Sequence, residues 1–115
     1  MRRTAGLAGD MREHAQEATT LLRAMVSEHR LMVLCSLAAG ELSVSELLER
    51  VPLAQSALSQ HLAVLRRERL VRRRREGQTV FYAVEPGPAL AVIRALHANY
   101  CGVPPRHRRL TIVKG

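Results

Sequence analysis

The sequence predicts a mainly α-helical domain carrying one β-hairpin, in the order α-α-α-α-β-β-α. Three observations predict it. Apolar residues recur every three or four positions from Met11 to Leu65. After Leu70 the period drops to two, with Val80, Tyr82 and Val84 alternating as in a half-buried strand. A last helical period then runs from Pro88 to Cys101. The chain has 115 residues, the size of one domain. Apolar residues make up 47% of it and aromatics 3%, so the core must be aliphatic.

Residues 1–9 show no period and are expected as a flexible tail ahead of a domain over 10–102. Asp10 and Glu13 have capping-box spacing, and Met11, Ala15, Ala18, Leu22 and Met25 predict an amphipathic helix over 10–25. Ser27 caps a second helix whose apolar face carries Leu31, Leu34, Cys35 and Ala38, stopped by Gly40. Ser43 and Glu46 form an S-x-x-E capping box for a short helix with Val44, Leu47, Leu48 and Val51 inward, ended by Pro52. The fourth helix spans Gln55 to Glu68, with Leu58, Leu62 and Leu65 in helical register. Ala54 stands at its cap position, where Ala is ~1 kcal/mol poorer than Ser or Thr. Val71 to Arg75 pairs with the strand through Val80, Tyr82 and Val84, and Gly77 supplies the positive φ of the turn. Pro88 suits the first turn of the last helix, which carries Leu90, Ile93, Leu96, His97, Tyr100 and Cys101 and ends at Gly102. Residues 103–115 form a basic tail.

The formal charge is +8. Seven Arg lie between Arg66 and Arg75 against one acid, Glu68. That concentration points to a polyanion, because each neutralised phosphate releases counterions. A solvated charged face is the plainer alternative. Two short helices joined by about three residues, followed by a basic hairpin, make a winged helix-turn-helix pattern. Gln55, Ser56, Ser59, Gln60 and His61 take polar positions on the second of these helices, with short donors and acceptors suited to base edges. Arg66, Arg73, Arg75, Gln78 and Thr79 are expected to join them in contact with double-stranded DNA. Alternation places Arg73 and Arg75 on one side of the hairpin and Arg72 and Arg74 on the other.

Several classes are disfavoured. Two Cys are too few for a secreted disulfide scaffold, and Met1 to Glu13 lacks the apolar run of a signal peptide. The longest uncharged apolar stretch, Leu31 to Gly40, is far short of the ~20 residues that span a bilayer. A cytoplasmic protein with no membrane partner is expected. No Gly-rich phosphate loop or paired catalytic carboxylates are evident, so neither an enzyme nor a cofactor is expected. Readers of single-stranded RNA stack bases on aromatics, and here only Phe81, Tyr82 and Tyr100 are available.

The run Ser56-Ala57-Leu58-Ser59-Gln60-His61-Leu62, then Leu65, Leu70-Val71 and Gly77-Gln78-Thr79-Val80-Phe81-Tyr82, resembles the ArsR (SmtB) family of bacterial repressors. So does His29-Arg30-Leu31 ahead of the second helix. The resemblance spans about residues 17–101. It implies a homodimer through the first and last helices, a β-wing, a palindromic operator, and an inducer that lowers DNA affinity.

The chain departs from the metal-sensing patterns of that family. Ser43 and Ser45 stand where an arsenic-type site needs thiols, and Ser is a poor ligand for soft metals. From Pro88 to Cys101 the only metal-binding side chain besides Cys101 is His97. The placement of Cys35 and Cys101 resembles the BigR/SqrR/HlyU-type subgroup. That resemblance implies that the two thiols sense reactive sulfur species or oxidants and close an intramolecular di- or polysulfide. His97, four residues before Cys101, can share its helix face. Two alternatives stay open. Cys35, His97 and Cys101 could hold a metal, with His107 or water as fourth ligand. Both Cys could instead be small apolar filler in a DNA binder that senses nothing, such as an anti-silencer.

Overall fold

A computed structural model describes residues 2–102, with side chains placed from residue 6 onward. The elements are α1 (Arg2–Met11), a 3₁₀ turn (Arg12–His14), α2 (Ala15–Met25), α3 (Glu28–Ala38), β1 (Leu42–Ser43), α4 (Val44–Arg50), α5 (Gln55–Arg67), β2 (Val71–Glu76), β3 (Thr79–Val84) and α6 (Pro88–Tyr100). The basic tail expected over 103–115, with His107, lies outside the described residues.

Two expectations at the N-terminus are corrected. Residues 2–9, expected to be an irregular tail, are helical, and the helix is broken at Gly6 (φ 60°, ψ −154°). The expected helix over 10–25 is interrupted by the 3₁₀ turn. Asp10 does not cap it but lies inside α1, and neither the turn nor α2 has a side-chain cap.

The remaining helix starts follow local chemistry. Ser27 Oγ accepts from the Arg30 amide at 3.2 Å and starts α3. The Ser43–Glu46 box is complete: Ser43 Oγ accepts from the Glu46 amide, and Glu46 Oε1 accepts from the Ser43 amide at 2.8 Å. Pro88 sits in the first turn of α6.

Ser43 also belongs to β1, a strand not anticipated because two residues carry no readable period. β1 pairs with β3, giving the order β1-β3-β2. In the β2–β3 ladder Arg73 faces Tyr82 and Arg75 faces Val80, while Arg72 and Arg74 face Ala83 and Phe81. The alternation read from the sequence therefore holds.

One core gathers Val33, Leu34 and Leu37 of α3, Leu47 of α4, Leu58, Leu62 and Leu65 of α5, Val71 and Tyr82 of the hairpin, and Ile93 of α6. On α3 Val33, Leu34 and Leu37 are buried, and Leu31 and Ala38 of the expected stripe pack against the core half-buried, so only Cys35 departs from it. Cys35 is accordingly exposed. No helix among the described residues is long and apolar enough to cross a membrane.

Candidate nucleic-acid interface

The interface is built on α4, the turn at 51–54, and α5. Val51, buried at the end of α4, accepts from the Leu53 amide at 2.8 Å and folds the chain back into α5. Leu58, Leu62 and Leu65 pin α5 to the core, which leaves Gln55, Ser56, Ser59, Gln60 and Arg66 exposed. Ala54 provides no side-chain cap, as expected. The first-turn amides of α5 are therefore open to an outside acceptor.

His61 is placed differently from the other polar residues of α5. It is half-buried, and Arg30 Nη1 reaches its Nδ1 at 3.4 Å. Its ring centroid lies 5.9 Å from that of His29. Arg30 Nε also donates to the Ala24 carbonyl at 2.6 Å. Burial, then the Arg30 charge and His29, push the His61 pKa below its ordinary value. His61 thus joins α5 to the α2–α3 junction. Its polarity signalled an interface residue, and only the fold reveals the inward partner.

The wing is a hairpin with the two-residue loop Gly77–Gln78 between the paired Glu76 and Thr79. Gly77 has φ 64°, matching a type II′ turn with Gly first. Gln78, Thr79 and Arg75 are exposed at this tip. The arginines divide into two groups. Arg74 makes a two-point ion pair with Glu41 (Nε–Oε2 2.7 Å, Nη2–Oε1 2.9 Å), meets Glu76 at 3.2 Å, and lies 4.6 Å over the Phe81 ring. Those bonds hold the Glu41 carboxyl below its usual range. Arg72 pairs with Glu85 at 3.3 Å. Arg66, Arg73 and Arg75 have no ion-pair partner among the described residues. The role of Arg74 as a brace was hidden in the sequence, because Glu41 lies 33 residues away.

A second cluster lies on α3 and α6. Cys35, His97, Arg94 and Ile93 line an open cavity of about 440 Å³. Cys35 and Cys101 are both free and exposed, which corrects their expected place on apolar faces. Burial, then the charge of nearby Cys101, pushes the Cys35 thiol above its ordinary value. Among the described residues no three His, Cys, Asp or Glu gather as a metal-holding group, and His107 lies outside them.

Comparison with known proteins identifies the family and the fold. The family described as "bacterial regulatory protein, arsR family" matches residues 27–73. The chain is 51% identical over 92 residues to the transcriptional activator HlyU of Vibrio cholerae, covering 80% of this chain and 85% of that protein. It is 41% identical over 91 residues to the biofilm growth-associated repressor of Agrobacterium fabrum, covering 79% and 78%. The solved structure of reduced HlyU from Vibrio cholerae superposes with a TM-score of 0.76, covering 80% of this chain and 97% of that one.

Proposed function

Because the chain belongs to the ArsR family of bacterial transcriptional regulators, we propose that it is a DNA-binding repressor released by reactive sulfur species or oxidants through Cys35 and Cys101. What supports this reading is that α3 packs against α6, with Cys35 on the first and Cys101 at the end of the second, both free and exposed. Because burial raises the Cys35 pKa, the first attack is assigned to Cys101 and the resolving step to Cys35.

With a persulfide RSSH, the Cys101 thiolate takes the outer sulfur and RSH leaves. Cys35 then attacks the new Cys101 persulfide, a Cys35–Cys101 disulfide forms, and H₂S departs. If both residues are persulfidated first, the same step leaves a trisulfide. With a peroxide, Cys101 becomes a sulfenic acid, and Cys35 displaces water from it. Either bond clamps α3 to α6 and alters how the α5 helices are presented to DNA.

Exposed apolar side chains support a homodimer through the first and last helices. Leu7, Met11 and Leu22 project from the N-terminal helices and Tyr100 from the last. On such a dimer the two copies of α5 would meet a palindromic operator, with Gln55, Ser56, Ser59 and Gln60 at base edges or phosphates. Arg75, Gln78 and Thr79 would lie beside the neighbouring groove, with His61 acting from within. One relative bears the name of an activator and another that of a repressor. Operator occupancy is common to both roles.

Intact mass and DNA binding after persulfide exposure test the proposal. The expected result is loss of both free thiols within one protomer, a mass change of one disulfide or bridging sulfur, and release of DNA. Wild-type behaviour of both Cys35→Ser and Cys101→Ser overturns it. Stoichiometric zinc or cuprous binding by the reduced protein would favour the metal alternative instead.

A further inference from the structure

The root of the wing holds a concentration of guanidinium groups, in which Arg66 and Arg73, already expected to meet DNA, are joined by Arg69 and Arg72. Arg66, Arg69, Arg72 and Arg73 line one open cavity of about 640 Å³, with Glu85 as its only carboxylate. Glu85 is engaged with Arg72. Arg66, Arg69 and Arg73 have no carboxylate partner among the described residues.

Arg69 adds an independent observation. It is the only non-glycine residue with positive φ (64°) among the described residues. The Arg69 amide donates to the Arg66 carbonyl at 3.0 Å, and the Leu70 amide to the Leu65 carbonyl at 2.8 Å. These two bonds are the Schellman closure of α5, and buried Leu65 and Leu70 supply its apolar contact. The left-handed position of that motif favours Gly, because a Cβ there is strained. An arginine held there despite the strain, with its side chain on the basic cavity, is a backbone outlier that points to function.

We propose that this wing-root cavity is a phosphate-binding site in which Arg69, with Arg66 and Arg73, takes one phosphate group. It lies ~17 Å along β2 from the hairpin tip at ~3.3 Å per residue. It lies a similar ~17 Å along α5 from Gln55 at ~1.5 Å per residue. A group bound there is therefore not one contacted by the first turn of α5 or by the tip. The phosphate comes either from duplex DNA beyond the bases that α5 reads or from a free phosphorylated small molecule. Arginine clusters suit both sources through paired N–H donors.

The DNA arm rests on DNA binding by this chain and is independent of its cysteines. The wild-type titration reports that premise separately. Arg69→Gly is the informative variant, since glycine fits the backbone and should raise the melting temperature by about 4 °C. Arg67→Gln, an exposed neighbour that does not line the cavity, is the charge control. Each protein is titrated with a mixed-sequence duplex several helical turns long, over a range of salt. Each is also titrated with pyrophosphate, followed by the arginine Nε–H resonances.

If DNA supplies the phosphate, Arg69→Gly binds the duplex about tenfold more weakly. Its salt slope is then shallower by about 0.9, and Arg67→Gln keeps the wild-type slope. If a small molecule supplies it, pyrophosphate shifts the wild-type resonances saturably, Arg69→Gly abolishes the shift, and the duplex slope is unchanged. A variant that gains stability but matches wild type in both titrations overturns the proposal. So does an equal effect of Arg67→Gln.

Discussion

Arg30 and His61 form the joint between α5 and the rest of the domain: the guanidinium reaches the ring Nδ1 at 3.4 Å while holding the Ala24 carbonyl at 2.6 Å. The ring is thereby an acceptor toward Arg30 and is kept neutral. In the unfolded chain His61 takes up a proton near its ordinary pKa of 6.5, whereas in the folded protein it does so only at lower pH. The unfolded state binds more protons in that window. Its contribution to stability is therefore present above pH 6.5 and is lost as pH falls through the depressed folded value. Urea midpoints measured above and below pH 6.5 should show this decline. His61→Asn, which keeps an acceptor but cannot titrate, should flatten it.

The Arg74–Glu41 pair predicts a mobility phenotype. Both groups are solvent-exposed, so global stability should change little on losing them. Arg74→Ala and Glu41→Gln should each speed amide exchange in the short β1–β3 pairing and lower DNA affinity. Unchanged exchange in both variants would show that the wing needs no brace.

Core contributions on α5 should be much larger. Leu58 is fully buried. Leu58→Ala should cost about 3 kcal/mol through lost transfer energy and the residual cavity, read from denaturant unfolding. A loss under about 1 kcal/mol would mean that the helix collapses onto the gap.

Base reading and phosphate neutralisation should separate by mutation. Gln60→Ala should relax preference at one operator position by about 1–3 kcal/mol, with little change in salt dependence. Arg75→Gln should weaken binding to all sequences alike and reduce the salt slope by about 0.9. Competition titrations with single-base operator variants distinguish the two.

Tyr100 is 71% exposed at the end of α6. If it lies in a dimer interface, Tyr100→Asp should shift sedimentation from dimer to monomer and weaken operator binding. A wild-type sedimentation profile would place the interface elsewhere.

Much of this architecture was legible because it is written in local chemistry. The Leu58–Leu62–Leu65 spacing, the Ser43–Glu46 box, Pro88 at the start of α6 and Gly77 in the turn each act within a few residues. What was not legible depends on distant partners. β1 exists because β3 offers it a ladder, and Arg74 differs from Arg75 because Glu41 folds back to meet it. His61 looked like its polar neighbours until α3 brought Arg30 beside it. Cys35 looked apolar-facing because it shares the periodicity of Leu31, Leu34 and Ala38, yet the most buried side of α3 is centred on Val33, Leu34 and Leu37. At the N-terminus weak propensity and two glycines masked a short, kinked helix.

Ala54 leaves the start of α5 without a side-chain cap. A serine there would complete the first turn internally and would stabilise the free protein by ~1 kcal/mol. With alanine those amides stay open to an outside acceptor, and a phosphate oxygen would bring a full charge to the positive end of the helix dipole. If DNA is that acceptor, part of the work of folding α5 is postponed to the moment of docking. The helix start can be loosest when the protein is searching and tightest when it is seated.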